Sequence, residues 1–537
     1  MPDIVPGING SAEFSHGQMI LPRTFHLINT QFEPWCTEAF RERTGTETEH
    51  TEAEPEAAVS SSLPALELSR VPGLPEEGYR LTIRESGIRV EAGTERGVIQ
   101  ALTTAACLLN NGRFPCCRIE DAPEYPHRGV MLDCARHFFS AAEVRRVIEG
   151  ISLAKLNVLH WHLSDDQGWR MESRHFPKLQ QVSGDFYTQQ EIREIVEYAR
   201  VRGVEILPEV DMPGHMTALL AAYPQYSCSG KTVTLAKSGG IYPVILCPGK
   251  EETYAMLETL LDEIVPLFPG PRFHIGGDEA PKMEWETCPD CRRRMQEQSL
   301  ADTCELQGYF TGRVTELLKK YGKQAVCWNE TLDAACAPRD IQIQYWTLDH
   351  RTGMEPFLAQ GGRWIYSDMF ELYLDYPAAM TPLSKVYQTE PHLGTRTCGK
   401  QDGLRGMECC LWTEHIIQNE ALEENLFPRV YALAERCWCR KKDYKAFEQR
   451  LKSVPGAEVF RNVHCAPEDR WNPQGKARRE EALDYFHRMN EGMDPEVRKQ
   501  TVQASRPSRE FGENFMKKFF HPTDLPFLMK AMNTKKQ

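Results

Sequence analysis

From about residue 126 to residue 465, short strand-like runs alternate with helical patterns, and this rhythm limits the possible folds more than any other feature of the chain. The runs are RGVMLDCA, NVLHWHLSD, VEILPEVD, RFHIGGDE, QAVCWNE, IQIQYWT, RWIYSDM and GMECCLWTE. Between them, segments such as AAEVRRVIEGISLAKL and QEIREIVEYARVRG have apolar residues at helical spacing. Strands that alternate with helices are typical of parallel sheets. Eight such units predict an α/β fold, a (β/α)8 TIM barrel.

A doubly wound parallel sheet is the main competing fold, and the residues at the strand ends argue against it. No G-x-G-x-x-G sequence follows the first run, RGVMLDCA. In a barrel, catalytic groups come from the carboxyl ends of many strands. Candidate residues lie towards or just after the ends of all eight runs: Asp133, Arg136 and His137; His160, His162, Asp165 and Asp166; Glu209, Asp211 and His215; Asp278 and Glu279; Trp328, Asn329 and Glu330; Trp346; Asp368; and Trp412 with Glu414. Packing alone does not explain the same bias at eight strand ends.

The segments on either side of the barrel have different patterns. In residues 1–125, YRLTIRES and GIRVEAG predict a hairpin, and TERGVIQALTTAACLL predicts a helix with Thr94 as its N-cap. This segment is expected to be a small α+β domain, in which the acidic stretch TGTETEHTEAEPEAAVSSS is a linker or surface loop. Residues 466–537 are expected to form a helical extension that packs on the barrel, makes a subunit contact or is disordered. The predicted domains are therefore 1–125, 126–465 and 466–537.

The charge balance narrows the range of partners. The chain has 76 acidic and 63 basic residues, a net charge of −13, which argues against nucleic acids and anionic membranes as partners. No apolar run approaches the ~18 residues that a membrane span needs. The start, MPDIVPGINGSAEF, lacks a basic segment followed by an apolar one. We therefore expect either a cytoplasmic protein or a secreted or periplasmic one whose signal was removed from this numbering.

The 18 cysteines do not have the spacing of a disulfide framework. Adjacent pairs such as Cys116 and Cys117 suit small buried apolar residues better than cross-links of long loops. One group differs, because Cys288 and Cys291 form a C-x-x-C motif that Cys304 follows. A structural zinc site or a local disulfide at these three residues stays open, although a second pair at matching spacing is missing.

The residue types at the strand ends favour a sugar ligand over a phosphate. They combine carboxylates, histidines, an arginine and several tryptophans, without lysines in glycine-rich loops. Aromatic rings cover the apolar faces of sugars, while carboxylates accept hydrogen bonds from their hydroxyls. Trp328, Trp346 and Trp412 come from three different strands and can therefore form the walls of one pocket.

The stretch FHIGGDEAP, residues 273–281, ends a buried strand on Gly276 and Gly277 and then presents Asp278 and Glu279. Glycines allow backbone and carboxylates to approach a ligand closely. Adjacent carboxylates can bind a metal ion, share a proton or divide a catalytic task. The chain has no H-E-x-x-H or other compact ligand spacing, which argues against a catalytic metal ion. A non-catalytic sugar-binding protein also stays open as an alternative.

Six motifs, in order, carry a resemblance to a known family: RGVMLDCARHFF, NVLHWHLSDDQGWR, LPEVDMPGH, FHIGGDE, YLD and LWTE. Over roughly residues 77–460 the chain resembles the family 20 glycoside hydrolases, the β-N-acetylhexosaminidases. The resemblance implies an exo-acting, retaining hydrolase that needs no cofactor. Its implied partner is a glycan or oligosaccharide with a terminal β-linked N-acetylglucosamine or N-acetylgalactosamine, and a homo-oligomer stays open.

The resemblance also implies a role for individual residues. Glu279 corresponds to the general acid, Asp278 to the carboxylate that orients the 2-acetamido group, and Tyr373 to the hydroxyl that donates to the acetamido oxygen. The other implied roles are hydroxyl binding by Arg128 and Glu414, a contact to the sugar or leaving group by Asp375, an aromatic cage of Trp328, Trp346 and Trp412, and support of Glu279 by His215 and Asp165.

The adjacency of the two carboxylates fits this family's chemistry. A conventional two-carboxylate enzyme stays open as an alternative. In a conventional retaining glycosidase, two carboxyl groups lie on opposite sides of the glycosidic bond, ~5–5.5 Å apart. Adjacent residues at one strand end cannot easily do this, so the nucleophile has to come from elsewhere. In substrate-assisted hydrolysis it is the acetamido oxygen of the sugar, which forms an oxazolinium-like intermediate.

Overall fold

A computed structural model describes residues 4–29, 31–50, 63–454, 457–491, 495, 497–499, 501, 517–520 and 522–527. The strands are β1 Ser11–Ile20, β2 Thr24–Asn29, β3 Glu47–His50, β4 Ala65–Arg70, β5 Tyr79–Arg84, β6 Gly87–Ala92, β7 Arg113–Asp121, β8 His127–Asp133, β9 Val158–His162, β10 Ser164–Asp165, β11 Gly168–Trp169, β12 Glu205–Glu209, β13 Arg272–His274, β14 Gln324–Trp328, β15 Gln342–Tyr345, β16 Arg363–Tyr366, β17 His392–Leu393, β18 Arg396–Thr397 and β19 Leu404–Leu411. Among the described residues, no helix combines the length and the apolar character that crossing a bilayer requires.

Helices lie between most of the strands and after the last one. They are α1 Glu38–Thr44, α2 Glu95–Leu108, α3 Ala141–Leu153, α4 Lys178–Ser183, α5 Gln189–Arg200, α6 Thr217–Ala222, α7 Glu251–Ile264, α8 Met283–Thr287, α9 Pro289–Glu297, α10 Thr303–Lys319, α11 Met354–Ala359, α12 Met369–Leu372, α13 Leu383–Gln388, α14 Asn419–Leu426, α15 Arg429–Trp438, α16 Tyr444–Leu451 and α17 Gly475–Glu491. A short 3-10 helix, Asn329–Asp333, follows β14.

The N-terminal part is a seven-stranded sheet in the order β1-β7-β5-β6-β4-β2-β3, with α2 packed against it. The predicted hairpin is confirmed, because β5 and β6 pair antiparallel around the turn after Arg84. The Thr94 hydroxyl caps α2 by accepting from Gly97 N at 3.2 Å. The prediction for the acidic stretch was wrong in part, because Glu47–His50 pairs with β2 as a parallel strand. The remainder of that stretch, from 51 to 62, lies outside the described residues.

The predicted barrel is confirmed. Eight parallel strands close in the order β12-β13-β14-β15-β16-β19-β8-β9, and each overlaps one of the eight predicted runs. The runs are buried on both faces, as all seven residues of β8 and all five of β9 illustrate. The sequences of strands that are buried on both faces are nearly continuous apolar runs. These strands therefore lack the alternation of apolar and polar residues that half-exposed strands show. The boundaries at residues 125 and 465 stay a prediction.

The interior of the barrel is polar at its centre rather than wholly apolar. Glu209 accepts hydrogen bonds from His162 Nδ1 at 2.5 Å and Trp328 Nε1 at 3.0 Å. His160 lies between Glu209 and Glu408, at 3.0 Å and 2.8 Å. Although burial opposes its charge, these two carboxylates raise its pKa to about 9. A buried charge is tolerated where partners of opposite charge satisfy it. The network therefore forms a rigid polar floor below the carboxyl ends of the strands.

In its described part, the C-terminal extension packs on the face of the barrel at the carboxyl ends of the strands. Tyr485 of α17 and Phe519 contact the ring of Tyr376, with centroids 5.6 Å and 4.4 Å apart. Ala482 and Phe520 belong to the same apolar cluster. Of the three arrangements that the sequence left open, packing on the barrel is the one adopted by these residues.

Candidate active site

A pocket of about 300 Å³ opens at the carboxyl ends of the barrel strands. Eight of the residues to which the resemblance assigns a role line it: His215, Asp278, Glu279, Trp346, Tyr373, Asp375, Trp412 and Glu414. They come from β12, β13, β15, β16 and β19 or from the loops that follow these strands. Ligand sites at this end of a barrel are the rule for the fold, so the location supports a functional reading of the pocket.

The two glycines bring the strand end close to its neighbours. Gly276 has a φ of 64°, and a Cβ at this position would lie 1.7 Å from Asp211 Oδ1. Gly277 has a φ of 100°, and a Cβ there would lie 2.6 Å from the Thr331 hydroxyl. Only glycine combines the left-handed backbone with this close approach. The pair therefore fixes the position of the carboxylates that follow.

Glu279 is held at its backbone while its side chain faces the pocket. Its φ of 44° lies in the left-handed region, which a residue with a side chain adopts at an energetic cost. Its backbone N–H donates to Glu330 Oε2 at 2.9 Å, and burial raises the pKa of the Glu330 carboxyl to about 8. The Glu279 side chain is 31% exposed, whereas that of Asp278 is 12% exposed. Glu279 is therefore the carboxylate of the pair that is more accessible from the open side of the pocket.

His215 links the carboxylate pair to a second layer of acids. Its Nδ1 lies 3.2 Å from Asp165 Oδ1 and 3.2 Å from Asp166 Oδ2, and its Nε2 lies 3.5 Å from Glu279 Oε2 and 4.0 Å from Asp278 Oδ2. Although burial opposes the charge, the Asp165 carboxylate raises the pKa of His215 well above its usual value. His215 therefore presents a positive charge to Asp278 and Glu279. Its backbone lies in the left-handed region, with a φ of 52°.

Asp278 has a perturbed acidity with a clear cause. Burial raises its pKa to about 6, the positive charge of His215 opposes this rise, and the neighbouring Glu279 carboxylate adds to it. Its Oδ1 is buried and has no hydrogen-bond partner within the described part of the chain. A carboxylate that is mostly ionised at neutral pH and has an unused acceptor is suited to an N–H donor from a ligand.

Aromatic rings form the opposite wall. Trp346 stacks on Tyr373, with centroids 6.4 Å apart and planes 15° apart, and Tyr373 stacks in turn on Tyr376. Trp412 lies 6.2 Å from Tyr373. Trp328 does not line the pocket, because it is buried below Trp412 at 6.0 Å and donates to Glu209. Of the three tryptophans predicted to enclose a ligand, two therefore line the pocket, and the third lies behind Trp412.

A charged group lies at the far side of the pocket. Arg136 NH2 pairs with Asp165 Oδ2 at 2.7 Å, and its guanidinium lies over the Trp412 ring at 4.7 Å. Its Nε has no hydrogen-bond partner among the described residues. Asp375 and Glu414 also line this side, and burial raises the pKa of both carboxyls. Together these groups offer donors and acceptors that suit hydroxyl groups.

The prediction that Arg128 binds a hydroxyl was wrong. Arg128 is the second residue of β8 and lies at the amino end of the barrel. Its NH1 and NH2 pair with Glu77 at 2.8 Å and 2.7 Å, and its Nε donates to Lys155 O. Five residues of strand, about 17 Å, separate it from the carboxyl end of β8. Arg136, which follows the same strand, is the arginine that lines the pocket.

Two segments that the site prediction did not include complete the pocket. Gly239, Gly240 and Ile241 come from the long loop after α6, and Tyr485 and Thr501 come from the C-terminal extension. The two segments touch, since Ile241 N donates to the Thr501 hydroxyl at 3.0 Å. Length was the only sequence signal for the loop, because long loops at a barrel mouth are often functional.

Three groups near the pocket have ligand atoms close enough to share a metal ion: His160, Glu209 and His274; Asp165, Asp166 and His215; and Asp211, His215 and Asp278. In the first two, polar contacts within the group explain the proximity, such as the 2.9 Å distance between His274 Nδ1 and Glu209 Oε1. In the third, Asp211 Oδ1 accepts from Gly277 N. Apart from Asp278, whose Oδ1 has no partner among the described residues, these side chains therefore already have structural contacts.

The cysteine hypothesis needs a correction. Cys304 does not join Cys288 and Cys291, which instead lie beside Cys228 and Cys247 from the long loop. The sequence did not indicate this grouping, because the loop cysteines have no C-x-x-C spacing.

Comparison with known proteins identifies the family. Residues 125–441 match the model of the glycosyl hydrolase family 20 catalytic domain, and residues 10–122 match domain 2 of that family. The chain belongs to glycosyl hydrolase family 20. The recognised resemblance is thereby confirmed, and the second match covers the seven-stranded sheet.

Members of family 20 are similar to the chain in sequence and in structure. A β-hexosaminidase of Porphyromonas gingivalis W83 is 34% identical over 425 residues, 71% of this chain and 53% of that protein, so the chain spans about half of this relative. The β-N-acetylhexosaminidase of Bacteroides fragilis NCTC 9343 aligns with a TM-score of 0.78 at 29% identity, over 86% of this chain and 97% of the other. An exo-β-N-acetylglucosaminidase of Vibrio harveyi, solved in complex with N-acetylglucosamine, aligns with a TM-score of 0.75 at 28% identity, over 87% and 78%.

Proposed function

We propose that this chain is an exo-acting, retaining β-N-acetylhexosaminidase that uses the substrate's own 2-acetamido group as its nucleophile. The substrate is a glycan or oligosaccharide with a terminal non-reducing β-linked N-acetylglucosamine or N-acetylgalactosamine. The observation that carries the proposal is the placement of Asp278 and Glu279 side by side at one strand end, opposite the wall of Trp346, Tyr373 and Trp412. The N-acetylglucosamine complex of the Vibrio harveyi neighbour supports the choice of sugar.

In the first step, the protonated Glu279 carboxyl donates its proton to the glycosidic oxygen. The acetamido oxygen attacks the anomeric carbon, the bond from that carbon to the leaving oxygen breaks, and the leaving group departs as an alcohol. The product is a cyclic oxazolinium ion. The Asp278 carboxylate accepts a hydrogen bond from the acetamido N–H and stabilises the positive charge that develops there. The free Oδ1 of Asp278 is suited to this contact.

In the second step, water attacks the anomeric carbon and opens the ring of the intermediate. The Glu279 carboxylate takes the proton of that water, which restores the acid for the next turnover. Two displacements at one carbon retain the configuration. Tyr373 donates to the acetamido oxygen and aligns it for attack. His215, held by Asp165, fixes the orientation of the Glu279 carboxyl through their 3.5 Å contact.

The remaining lining residues are assigned to the sugar ring. Trp346 and Trp412 cover its apolar faces, and Trp328 supports Trp412 from below. Arg136, Asp375 and Glu414 bind its hydroxyl groups. A pocket of about 300 Å³ that is closed on one side by Ile241 and Tyr485 is suited to one terminal residue and therefore to exo action. A homo-oligomer stays a prediction.

The mechanism is tested by changing the substrate. We expect a 4-nitrophenyl N-acetyl-β-glucosaminide to be cleaved and the corresponding 2-hydroxy glucoside to be almost inert, because an aligned internal nucleophile is worth several kcal/mol. The rate should fall with each fluorine added to the acetyl group, because fluorine withdraws electrons from the oxygen. A thiazoline mimic of the intermediate should bind far more tightly than the substrate.

Three outcomes would support other functions. A glycosyl–carboxylate adduct trapped by a 2-fluoro sugar would indicate a conventional two-carboxylate glycosidase. Binding of the sugar without turnover would indicate a non-catalytic sugar-binding protein. Loss of turnover on treatment with a chelator would indicate metal catalysis.

A further inference from the structure

Four cysteines outside the pocket converge on one point. Cys228 and Cys247 lie near the two ends of the long loop after α6, and Cys288 and Cys291 lie at the start of α9. The four Sγ atoms all lie within 4.8 Å of one another. The Sγ–Sγ distance is 3.6 Å from Cys247 to Cys291, 3.7 Å from Cys228 to Cys291 and 3.8 Å from Cys247 to Cys288.

These distances fit a metal-centred tetrahedron. Zinc binds thiolates at about 2.3 Å, and a tetrahedron with that radius has sulfur–sulfur edges of about 3.8 Å. A disulfide would instead bring one pair of sulfurs to about 2.05 Å. Two cysteine pairs from segments far apart in the chain, meeting with these spacings, form a complete donor set for zinc. We propose that Cys228, Cys247, Cys288 and Cys291 bind a structural zinc ion.

The local backbone supports thiolates at this point. Cys288 is the N-cap of α9, Pro289 is the first residue of the helix, and Cys291 lies in its first turn. The amino end of a helix favours negative charge and lowers the cost of a thiolate. The loop approaches this helix end very closely, since a Cβ on Gly249 would lie 2.3 Å from the Asp290 carbonyl carbon. A glycine two residues after Cys247 therefore permits the two segments to meet.

The zinc ion would anchor a wall of the active-site pocket. The loop between Cys228 and Cys247 carries Gly239, Gly240 and Ile241, which line the pocket. The cysteines share a small apolar cluster with Ala280, the residue after Glu279. Trp285 Nε1 donates to Leu246 O at 3.0 Å and ties the loop to α8, the helix directly before α9. Four thiolates close the coordination sphere, so the ion is structural and takes no part in turnover.

The experiment measures metal content on the full-length protein without an affinity tag. After expression with added zinc and dialysis against a weak chelator, elemental analysis should find about one zinc ion per chain. Cobalt(II) introduced in place of zinc should give the intense visible and near-ultraviolet bands of a tetrahedral thiolate site. Cys247→Ser should lose most of the zinc. The matched control is Cys304→Ser, because Cys304 is half-buried and lies outside the cluster.

Three results would overturn the proposal. The wild-type protein could contain almost no zinc, or its intact mass could be lower by two hydrogens for each disulfide among these cysteines. Cys304→Ser could also lose as much zinc as Cys247→Ser. The cobalt spectrum of the wild-type protein does not depend on how any variant folds, so the proposal stays testable if Cys247→Ser is insoluble. The metal measurements do not depend on glycosidase activity, so failure here is distinct from failure of the proposed function.

Discussion

Replacing Asp278 by asparagine should stabilise the protein while it removes most of the activity. Asp278 is buried, and its pKa is raised from 3.8 to about 6. The folded state therefore holds the ionised form at a free-energy cost. Asparagine has nearly the same shape and no charge, so the variant avoids this cost. In the proposed mechanism it also loses the charge that stabilises the oxazolinium ion.

The size of the effect follows from the two pKa values. At about 1.4 kcal/mol per pKa unit, a rise from 3.8 to about 6 makes the ionised carboxylate cost about 3 kcal/mol of folding free energy. The sign depends on pH. Below pH 3.8 both states are protonated and the cost vanishes, between pH 3.8 and 6 it grows, and above pH 6 it is constant. The asparagine variant should therefore gain about 3 kcal/mol near pH 7.5 and little near pH 4.

The assay is chemical denaturation of the wild type and the variant at both pH values, with kcat/KM measured alongside. We expect a higher denaturation midpoint for the variant near pH 7.5, together with a fall in kcat/KM of at least about 10²-fold. Asp402→Asn is the control, because that surface carboxylate pairs with Arg396 and its pKa is lowered. The control should gain no stability. A variant that is less stable than the wild type near pH 7.5, or equally stabilised at both pH values, would refute the reasoning.

Three further predictions concern neighbouring residues. Glu279→Gln should reduce hydrolysis of poor leaving groups by about 10²–10⁴-fold and that of activated aryl groups much less, and equal losses would argue against an acid role. His215→Gln removes a positive charge 4.0 Å from Asp278, which should raise the pKa of this carboxyl. The acid limb of the pH–rate profile should therefore move to higher pH by at least about one unit, and an unmoved limb would contradict an influence of His215 on Asp278. Arg136→Met should raise KM, although it also leaves the buried Asp165 carboxylate without this partner, whereas Arg128→Met should leave KM nearly unchanged and lower the melting temperature by leaving Glu77 buried without its partner. A raised KM for Arg128→Met with an unchanged KM for Arg136→Met would restore Arg128 as the sugar ligand.

The barrel could be predicted from the sequence because each strand is marked by a pattern in a few neighbouring residues. Each strand is a short apolar run, and each run ends in polar or aromatic residues. The Gly276–Gly277 pair could also be interpreted, because a double glycine before two acids predicts a close backbone approach. The structure gives the partners in that approach, Asp211 and Thr331, which no sequence pattern indicated.

The error at Arg128 has a physical reason. Two arginines, Arg128 and Arg136, belong to the same motif, RGVMLDCARHFF, and they lie at opposite ends of β8. A strand advances about 3.3 Å per residue, so eight positions separate groups on different faces of a domain. Counting from the buried run to its carboxyl end would have selected Arg136. The role of Arg128 was assigned from the family resemblance alone, without considering its distance from the carboxyl end of the strand.

The walls of the pocket were harder to predict, because they depend on contacts between distant segments. Ile241 meets Thr501 across 260 positions of sequence, and Cys247 meets Cys291 across 44. No periodicity links such pairs, since each side only has to present a compatible surface. The barrel strands supply the groups that the proposed chemistry needs, and the loop and the extension limit what can lie beside them. A change in either segment should therefore alter which glycans enter the pocket, while the chemistry at Asp278 and Glu279 stays the same.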